Sequence, residues 1–249
     1  MGPSFLSAGL LAGIVGDTVE WLTAGERWRG EQGIPGRLLE HVGLSALVLF
    51  LAVGLALPLG LWVGHRGRGA TAVVAVANIA RAVPSFGLIV LGVVAFGIGV
   101  GPVVAALVVL AVPPILVNTS TAVREVDADL KEAARGQGLS GVQVLLQVEV
   151  PSAVPLILAG IRTAAVLVVA TATLAAVVPG VGGLGPYIVD GIGQQDRPKA
   201  VGGAVLVAVL AALTEGTLAV VQRLATPVGL RRNPRAARAT DRRRVVDAA

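Results

Sequence analysis

Long apolar runs decide what this chain can fold into. The first clear run covers residues 41–64, is interrupted only by Pro58, and ends at the basic sequence of residues 65–68. Because roughly 20 helical residues cross a hydrocarbon core, this run is long enough for one transmembrane helix. With 55% hydrophobic and 14% charged residues and a mean hydropathy of +0.82, the 249-residue chain has too little polar surface for a soluble globule. The sequence therefore predicts an all-α integral membrane protein.

Four further spans follow, which gives about five transmembrane helices. Residues 70–100 are too long for one straight span, so we expect one kinked helix or two helical pieces that meet near Pro84. The third span covers 103–121 and is expected to bend at Pro113 and Pro114. The last two spans cover 152–178 and 200–221, and the connections expected on the outer side are 97–102 and the glycine-rich segment 180–199.

The N-terminal segment differs from these spans. Residues 4–23 start with an apolar run, but Asp17 and Glu20 interrupt it before it could cross a bilayer, so we expect an interfacial helix. A signal peptide is disfavoured, since no basic residue precedes Phe5 and no convincing cleavage site follows. The predicted divisions are an interfacial helix and connector at 1–37, a transmembrane domain at 38–224, and a basic, disordered cytoplasmic tail at 225–249.

The positive charges orient the chain in a cell membrane. Of 20 lysine and arginine residues, 13 lie in segments expected inside, five lie outside, and two lie within spans. Positive charge concentrates on the cytoplasmic side, so we expect the N-terminus outside and the C-terminus in the cytoplasm. This distribution explains the net charge of +5 without a nucleic-acid partner, and only 3% of residues are aromatic. The charge pattern therefore indicates a chain surrounded by membrane lipids.

Residues 127–151 form the only long polar interval that also contains residues typical of helix starts and helix ends. Asp127 can cap a first short helix, and Gly138 suits a left-handed exit from that helix. Ser140 and Gln143 have the spacing of a capping box that opens a second short helix, which we expect Pro151 to close. These elements predict a compact knob on the cytoplasmic side; an ordinary amphipathic hairpin is the alternative.

The spacing in this interval resembles a known motif. Residues 132–134 read Glu-Ala-Ala, Gly138 follows after three residues, and nine residues later comes Val148-x-Val150-Pro151. This resembles the EAA loop of permease subunits of ABC importers, with valines in place of the usual isoleucine and leucine. In that family the loop seats in a groove of the ATP-hydrolysing subunit and transmits its motion to the membrane helices. The resemblance implies an ATPase-coupling role for Glu132, Ala133, Ala134, Gly138, Val150 and Pro151.

The likeness extends over roughly residues 38–195. The runs 77–86, 114–119, 159–164 and 172–185 are similar to the permease subunits of glycine betaine, carnitine and choline importers. This implies a type I ABC importer permease fold and uptake of a quaternary-ammonium osmoprotectant. The implied partners are an ATP-binding subunit, an extracytoplasmic solute-binding protein, and a second permease subunit, identical or paralogous. A permease of this fold for methionine or another small solute is the alternative, and an ATP-independent secondary transporter is a more distant one.

The chain carries no pattern of its own for catalysis. It lacks the G-x-x-x-x-G-K-[ST] sequence that cradles nucleotide phosphates, so ATP is expected on a partner subunit and no cofactor on this chain. Residues 180–185 match G-x-G-x-x-G, but they follow a membrane span rather than a strand. His41 and His65 are isolated at the ends of a span, so no metal site is predicted. We expect a transport subunit and not an enzyme.

Charges within the spans are costly and need partners. An unpaired charge at mid-bilayer costs at least about 2.5–3.5 kcal/mol, so Arg81, Arg162 and Glu215 must each face a partner, a polar cavity or the headgroups. We hypothesise that Arg81 pairs with Glu215; the alternative is that Arg162 snorkels to the cytoplasmic surface and that one or both of the others line a dimer contact. The candidates for a translocation pathway or gate are Asn78, Arg81, Pro84, Ser85, Asn118 and Glu215.

Overall fold

A computed structural model describes residues 3–30 and 32–226. The described chain is helical and contains no strand. The arginine-rich part of the predicted tail, residues 231–249, lies outside the described residues.

Ten α-helices follow one another along the described chain. They are α1 (Pro3–Thr23), α2 (Ile34–Arg66), α3 (Ala70–Ala82), α4 (Ser85–Phe96), α5 (Val100–Arg124), α6 (Ala128–Gly136), α7 (Gly141–Val144), α8 (Val150–Thr171), α9 (Gly185–Gly193) and α10 (Arg197–Ala225). Two 3-10 helices, Gly25–Trp28 and Ala172–Val177, and a π-helical turn, Leu145–Glu149, complete the described elements.

Four helical segments in the described chain are long and apolar enough to cross a membrane. They are α2, α5, the continuous stretch Gly141–Val177, and α10. The remaining predicted span is broken into α3 and α4, and they meet at Val83 and Pro84 as expected. Val83 has the extended backbone that a following proline favours, with ψ 124°, so the break follows directly from Pro84.

The structure corrects several boundaries. Helix α5 begins at Val100, inside the segment expected to be a loop, and it continues through Pro113 and Pro114. Helix α2 begins at Ile34, so the domain boundary placed after residue 37 falls within its first turn. The glycine-rich segment 180–199, expected to be a loop, contains α9 and the start of α10. Glycine in this segment permits close packing as well as turns: a Cβ on Gly191 would lie 2.6 Å from the backbone nitrogen of Ala200.

Helix α5 forms the centre of the fold because glycines on both neighbours let the helices approach it closely. Gly60 and Gly64 lie one turn apart on α2 and face α5, where a Cβ on Gly60 would lie 2.7 Å from Cβ of Thr119. On α8, a Cβ on Gly160 would lie 2.6 Å from Cβ of Asn118. Small residues at such positions allow extensive backbone and side-chain contact between membrane helices. Helices α2, α5 and α8 therefore form one tightly packed unit.

The helices alternate in direction, which separates two ends of the molecule. At one end, His65 of α2 contacts Glu149 of the 127–151 loop, and Gln222 of α10 donates to the carbonyl oxygen of Pro155 at the start of α8. At the other end, the Tyr187 hydroxyl of α9 donates to the carbonyl oxygen of Gln32, just before α2. The predicted cytoplasmic loop and the glycine-rich segment thus lie at opposite ends.

Helix α1 packs at the end that carries α9. Trp21 lies against Gly202 near the start of α10, and its ring meets the ring of Tyr187 edge to face with centroids 5.3 Å apart. The guanidinium of Arg27 lies 5.3 Å from the centroid of the Trp21 ring. Helix α1 is not among the four long apolar segments, and its interfacial position stays a prediction.

Candidate coupling loop and transmembrane cavity

The first helix of the 127–151 loop, α6, is capped at both ends. At its start, the backbone N–H of Asp129 donates to Oδ1 of Asp127 over 2.9 Å. At its end, Gly138 has φ +89° and donates its N–H to the carbonyl oxygen of Arg135, while Leu139 donates to that of Ala134. This pair of bonds is the Schellman arrangement, in which a left-handed residue satisfies the last carbonyls of a helix. Gly138 thus has the backbone geometry that the sequence predicts.

The second helix of the loop, α7, starts with the predicted capping box. The N–H of Gln143 donates to Oγ of Ser140 over 3.4 Å, and the N–H of Ser140 donates to Oε1 of Gln143 over 2.8 Å. These reciprocal bonds satisfy two backbone donors that the first turn of a helix otherwise leaves free. The local sequence therefore fixes where α7 begins.

Pro151 does not close this helix, so that part of the prediction is wrong. The π-helical turn Leu145–Glu149 connects α7 to α8, and Val150 donates its N–H to the carbonyl oxygen of Leu145, five residues back. Pro151 then lies in the first turn of α8. A π turn shifts the hydrogen-bond register by one residue, and the new register accommodates a residue that has no N–H to donate. The second half of the loop therefore continues into α8 as one helical segment.

Some residues of the EAA-like motif in the 127–151 loop are exposed to solvent, and others are buried. Glu132, Ala133 and Gly138 are exposed, whereas the side chain of Ala134 is buried. Val150 is half-buried and Pro151 is exposed. Helix α6 packs against α7 and the π-helical turn with Ala134 buried, while Glu132 and Ala133 face outward. A partner could reach the exposed residues without any rearrangement of the loop.

A buried charged cluster lies beneath the loop, and the sequence reasoning missed it. The side chain of Glu149 is 1% exposed, and its Oε2 lies 2.6 Å from Nδ1 of His65. Nζ of Lys131 lies 3.8 Å from the other carboxylate oxygen. In the sequence, Glu149 stands between two valines. An acid in apolar surroundings requires a partner, so this position could have indicated a buried ion pair. The sequence alone indicates only that His65 is an isolated residue at the end of a span.

Two of the predicted pathway residues line a cavity. Pro84 and Ser85, at the junction of α3 and α4, border a cavity of about 580 Å³ together with Pro113 and Pro114 of α5. Thr163 and Thr171 of α8 are on its wall as well. The described lining side chains are uncharged. Helix breaks and prolines thus meet around one open space.

The other pathway candidates are placed differently. Asn118 donates from Nδ2 to the carbonyl oxygen of Pro114 over 2.7 Å and lies against Gly160, so it contributes to the packing of α5 on α8. The side chains of Asn78 and Arg81 lie outside the described part of the structure. The cavity brings together Pro84 and Ser85, while Asn118 and Glu215 lie elsewhere in the fold.

Glu215 pairs with Arg162, which corrects the hypothesis that assigned Glu215 to Arg81. Nε of Arg162 lies 3.1 Å from Oε1 of Glu215, and Nη1 of Arg162 donates to Oε1 of Gln222 over 2.7 Å. Gln222 also donates to the carbonyl oxygen of Pro155. Helices α8 and α10 pack side by side, and Arg162 directs its guanidinium toward α10. The sequence reasoning missed Gln222 because a single amide in an apolar helix gives no indication of its partner.

Comparison with known proteins assigns the chain to a family. Residues 56–225 match the family described as binding-protein-dependent transport system inner membrane component. The chain belongs to this family of transport permeases. The match covers the end of α2 and the chain from α3 to α10, which includes the capped loop and the cavity.

Named relatives and a solved structure resemble the permease. The glycine betaine/carnitine/choline transport system permease protein OpuCB of Bacillus subtilis is 38% identical over 77% of this chain and 88% of its own length. The osmoprotectant import permease protein OsmW of Salmonella typhimurium is 36% identical over 77% of this chain and 91% of its own length. A structure of the MetNI methionine ABC transporter in an inward-facing conformation matches with a TM-score of 0.66 and 23% identity, over 78% of this chain and 96% of that chain. The permease therefore has the type I ABC importer permease fold.

In the permease, the glycine-rich segment before α9 is held by side chains of α2. Gly183 donates its N–H to Oε2 of Glu40 over 2.8 Å, and Leu184 donates to Nδ1 of His41 over 3.3 Å. Nε2 of His41 lies 2.9 Å from the carbonyl oxygen of Val169 on α8. These contacts fit a neutral imidazole that accepts at Nδ1 and donates at Nε2. Residues 180–185, which match G-x-G-x-x-G, therefore belong to a segment that side chains of α2 hold in place.

Proposed function

We propose that this permease forms the membrane pathway of an ATP-driven importer for quaternary-ammonium osmoprotectants, namely glycine betaine, choline or carnitine. The observation that carries the proposal is the capped loop, which exposes Glu132 and Ala133 at one end of a bundle that contains an uncharged cavity. The printed name of OpuCB specifies glycine betaine, carnitine and choline, and that of OsmW specifies an osmoprotectant. Both relatives match about three quarters of the chain and support this substrate class.

The loop is proposed to receive the motion of a separate ATP-binding subunit. Helix α6 is short, capped at both ends and packed against α7 and the π-helical turn, so we expect a force on its exposed face to move it as a unit. The chain has no phosphate-cradling sequence of its own, which is why ATP is assigned to the partner. In this proposal the ATPase-coupling residues are Glu132, Ala133, Ala134, Gly138, Val150 and Pro151. The buried Ala134 contributes by holding α6 in place and not by direct contact with the partner.

The cavity at the junction of α3 and α4 is proposed as part of the solute pathway. A trimethylated ammonium group has no N–H to donate, so the wall need not supply hydrogen-bond acceptors for it. Because burial of its charge would be costly, we propose that the solute stays partly hydrated as it passes this open cavity. The hydroxyls of Thr163 and Thr171 already donate to carbonyl oxygens of their own helix, at 3.0 and 2.7 Å. The cavity is open on one side, and we propose that a second permease subunit, identical or paralogous, closes it. Pro84 and Ser85 would then lie at the gate.

Selectivity is proposed to come mainly from an extracytoplasmic solute-binding protein. Quaternary ammonium groups are commonly held by cages of aromatic rings through cation–π attraction. The chain has only eight aromatic residues, and no aromatic side chain is among the described residues that line the cavity. The N-terminus outside and the C-terminus in the cytoplasm complete the proposal, since this orientation brings the coupling loop to the side where ATP is available.

Uptake in proteoliposomes tests the substrate class. The permease is reconstituted with its ATP-binding subunit and binding protein, and uptake of labelled glycine betaine is measured with ATP inside or outside the vesicles. We expect uptake that requires ATP on the loop side and is reduced by excess choline or carnitine. Uptake of labelled methionine alone would assign the permease to another solute, and uptake without ATP would indicate a secondary transporter.

A further inference from the structure

The carboxylate of Glu149 is buried at a place where the backbone is irregular. Its side chain is 1% exposed, and Glu149 is the last residue of the π-helical turn between α7 and α8. Burying a carboxylate is unfavourable unless charged or hydrogen-bonded partners compensate for the lost water. The turn therefore directs an acid into the protein at the point where the coupling loop becomes a membrane helix.

The partners of Glu149 come from two other elements. Nδ1 of His65, in the last turn of α2, lies 2.6 Å from Oε2 of Glu149, a distance typical of a charge-assisted hydrogen bond. Nζ of Lys131, on α6, lies 3.8 Å from Oε1. Lys131 also donates to the carbonyl oxygen of Val123 over 2.9 Å, in the last turn of α5. One carboxylate thus joins the cytoplasmic ends of α2 and α5 to both halves of the loop.

The contact with α2 differs from the others because no short stretch of chain connects α2 to the loop. The loop is continuous with α5 on one side and with α8 on the other, so those two helices follow it through the backbone. His65 is 84 residues from Glu149 in sequence, and their hydrogen bond is a direct polar tie between α2 and the loop. The ring of His65 also lies beside Gly141, where a Cβ would be 3.5 Å from Nε2.

We propose that Glu149, His65 and Lys131 form the joint that passes the motion of the coupling loop to α2. This inference rests on the proposed coupling function of the loop. The three side chains are positioning residues, since none of them borders the cavity assigned to the solute. A buried polar cluster of this kind adds little stability over apolar packing of the same volume, and in this proposal its role is to fix one geometry of the groups it joins. That property suits a joint that keeps α2 and the loop in register while both move.

The test measures uptake and ATP hydrolysis in the same proteoliposomes, which contain the permease, its ATP-binding subunit and the binding protein. Glu149→Gln keeps the shape of the side chain and removes its charge. We expect the ATP-binding subunit to remain bound and ATP hydrolysis to continue, while solute taken up per ATP falls at least about tenfold. The matched control is Glu125→Gln, which removes an exposed carboxylate just before the loop and should leave the ratio unchanged.

Two variants of His65 keep the proposal testable if Glu149→Gln does not insert. His65→Leu removes the donor at Nδ1 and should lower solute uptake per ATP. His65→Asn retains an amide N–H donor at a similar position and should restore most of the ratio. A merely structural role would lower uptake and hydrolysis in parallel and leave their ratio unchanged.

An unchanged ratio in both Glu149→Gln and His65→Leu would overturn the joint. A parallel fall of uptake and hydrolysis in those variants would overturn it too. Wild-type vesicles that show no ATP-driven uptake would contradict the proposed importer function itself. The wild-type measurement therefore comes first, before any variant is compared with it.

Discussion

The guanidinium of Arg162 lies 3.1 Å from the carboxylate of Glu215, and this ion pair joins α8 to α10. The side chains are 30% and 47% exposed in the single chain, so the pair is only partly shielded. Gln222 accepts a hydrogen bond from Arg162 and donates another to the carbonyl oxygen of Pro155 on α8. The contact between the two helices therefore depends on a network of three polar side chains.

Removal of this pair should weaken the packing of α10 on α8. We expect a double-mutant cycle of Arg162→Ala and Glu215→Ala to give a coupling energy of about 0.6 kcal/mol, the average for polar contacts between membrane helices. The measurement is the thermal unfolding of the purified permease in detergent. Fully additive effects of the two substitutions would mean that the pair does not stabilise the fold.

Gly138 and Gly136 offer a matched comparison within the coupling loop. Gly138 has φ +89°, whereas Gly136 is helical, and a Cβ on either would meet no atom within 4 Å. Gly138→Ala should cost roughly 1–2 kcal/mol because the left-handed backbone is strained for alanine. Gly136→Ala should be neutral or slightly stabilising, since alanine favours the helix.

The readout for this pair is the affinity of the ATP-binding subunit for the permease in nanodiscs. Weaker binding with Gly138→Ala and unchanged binding with Gly136→Ala is the expected result. Equal affinities for the two variants would show that the left-handed turn does not shape the docking surface.

Close packing between α2 and α5 gives a second matched pair. A Cβ on Gly60 would lie 2.7 Å from Cβ of Thr119, while a Cβ on Gly54 of the same helix would meet no atom within 4 Å. Gly60→Ala should therefore destabilise the bundle by about 1–3 kcal/mol through overpacking. Gly54→Ala should not destabilise it. The midpoint of thermal unfolding separates the two variants, and similar midpoints would mean that α2 and α5 do not approach as closely as described.

The cavity can be probed with a single introduced thiol, because the chain contains no cysteine. Ser85→Cys should react with a membrane-impermeant thiol reagent, and its rate should change when the ATP-binding subunit is trapped with ATP. Ala52→Cys is the control, since Ala52 is 0% exposed in the packed unit of α2 and α5 and should stay unreactive in both states. A rate at Ser85→Cys that is slow and independent of ATP would argue against a gate at this junction.

The features that the sequence predicted are governed by local rules. Pro84 restricts the backbone of Val83, so a break between α3 and α4 could be located from sequence. The caps of Asp127 and Ser140 depend on residues within three positions, and the left-handed turn at Gly138 on one residue. Hydropathy predicted the long spans because a bilayer sets their minimum length.

The features that the sequence did not predict depend on packing between distant residues or on an irregular backbone turn. Pro151 looked like a helix terminator because the π turn that admits it leaves no mark in composition. Helix α9 was hidden by glycines that were interpreted as turn residues but also allow close packing. His65, which pairs with Glu149, and Arg162, which pairs with Glu215, lie 84 and 53 residues from their partners in sequence, so only the packed bundle identifies these pairs.

The most direct test of the account is ATP-driven uptake of labelled glycine betaine with the charge reversal Glu132→Arg, compared with Glu125→Arg. Glu132 is exposed on α6, and Glu125 is exposed just before the loop. We expect Glu132→Arg to abolish ATP-driven uptake while the permease remains inserted and folded, and Glu125→Arg to retain it. Wild-type uptake by Glu132→Arg, with the ATP-binding subunit still bound, would contradict the claim that this loop couples ATP hydrolysis to transport.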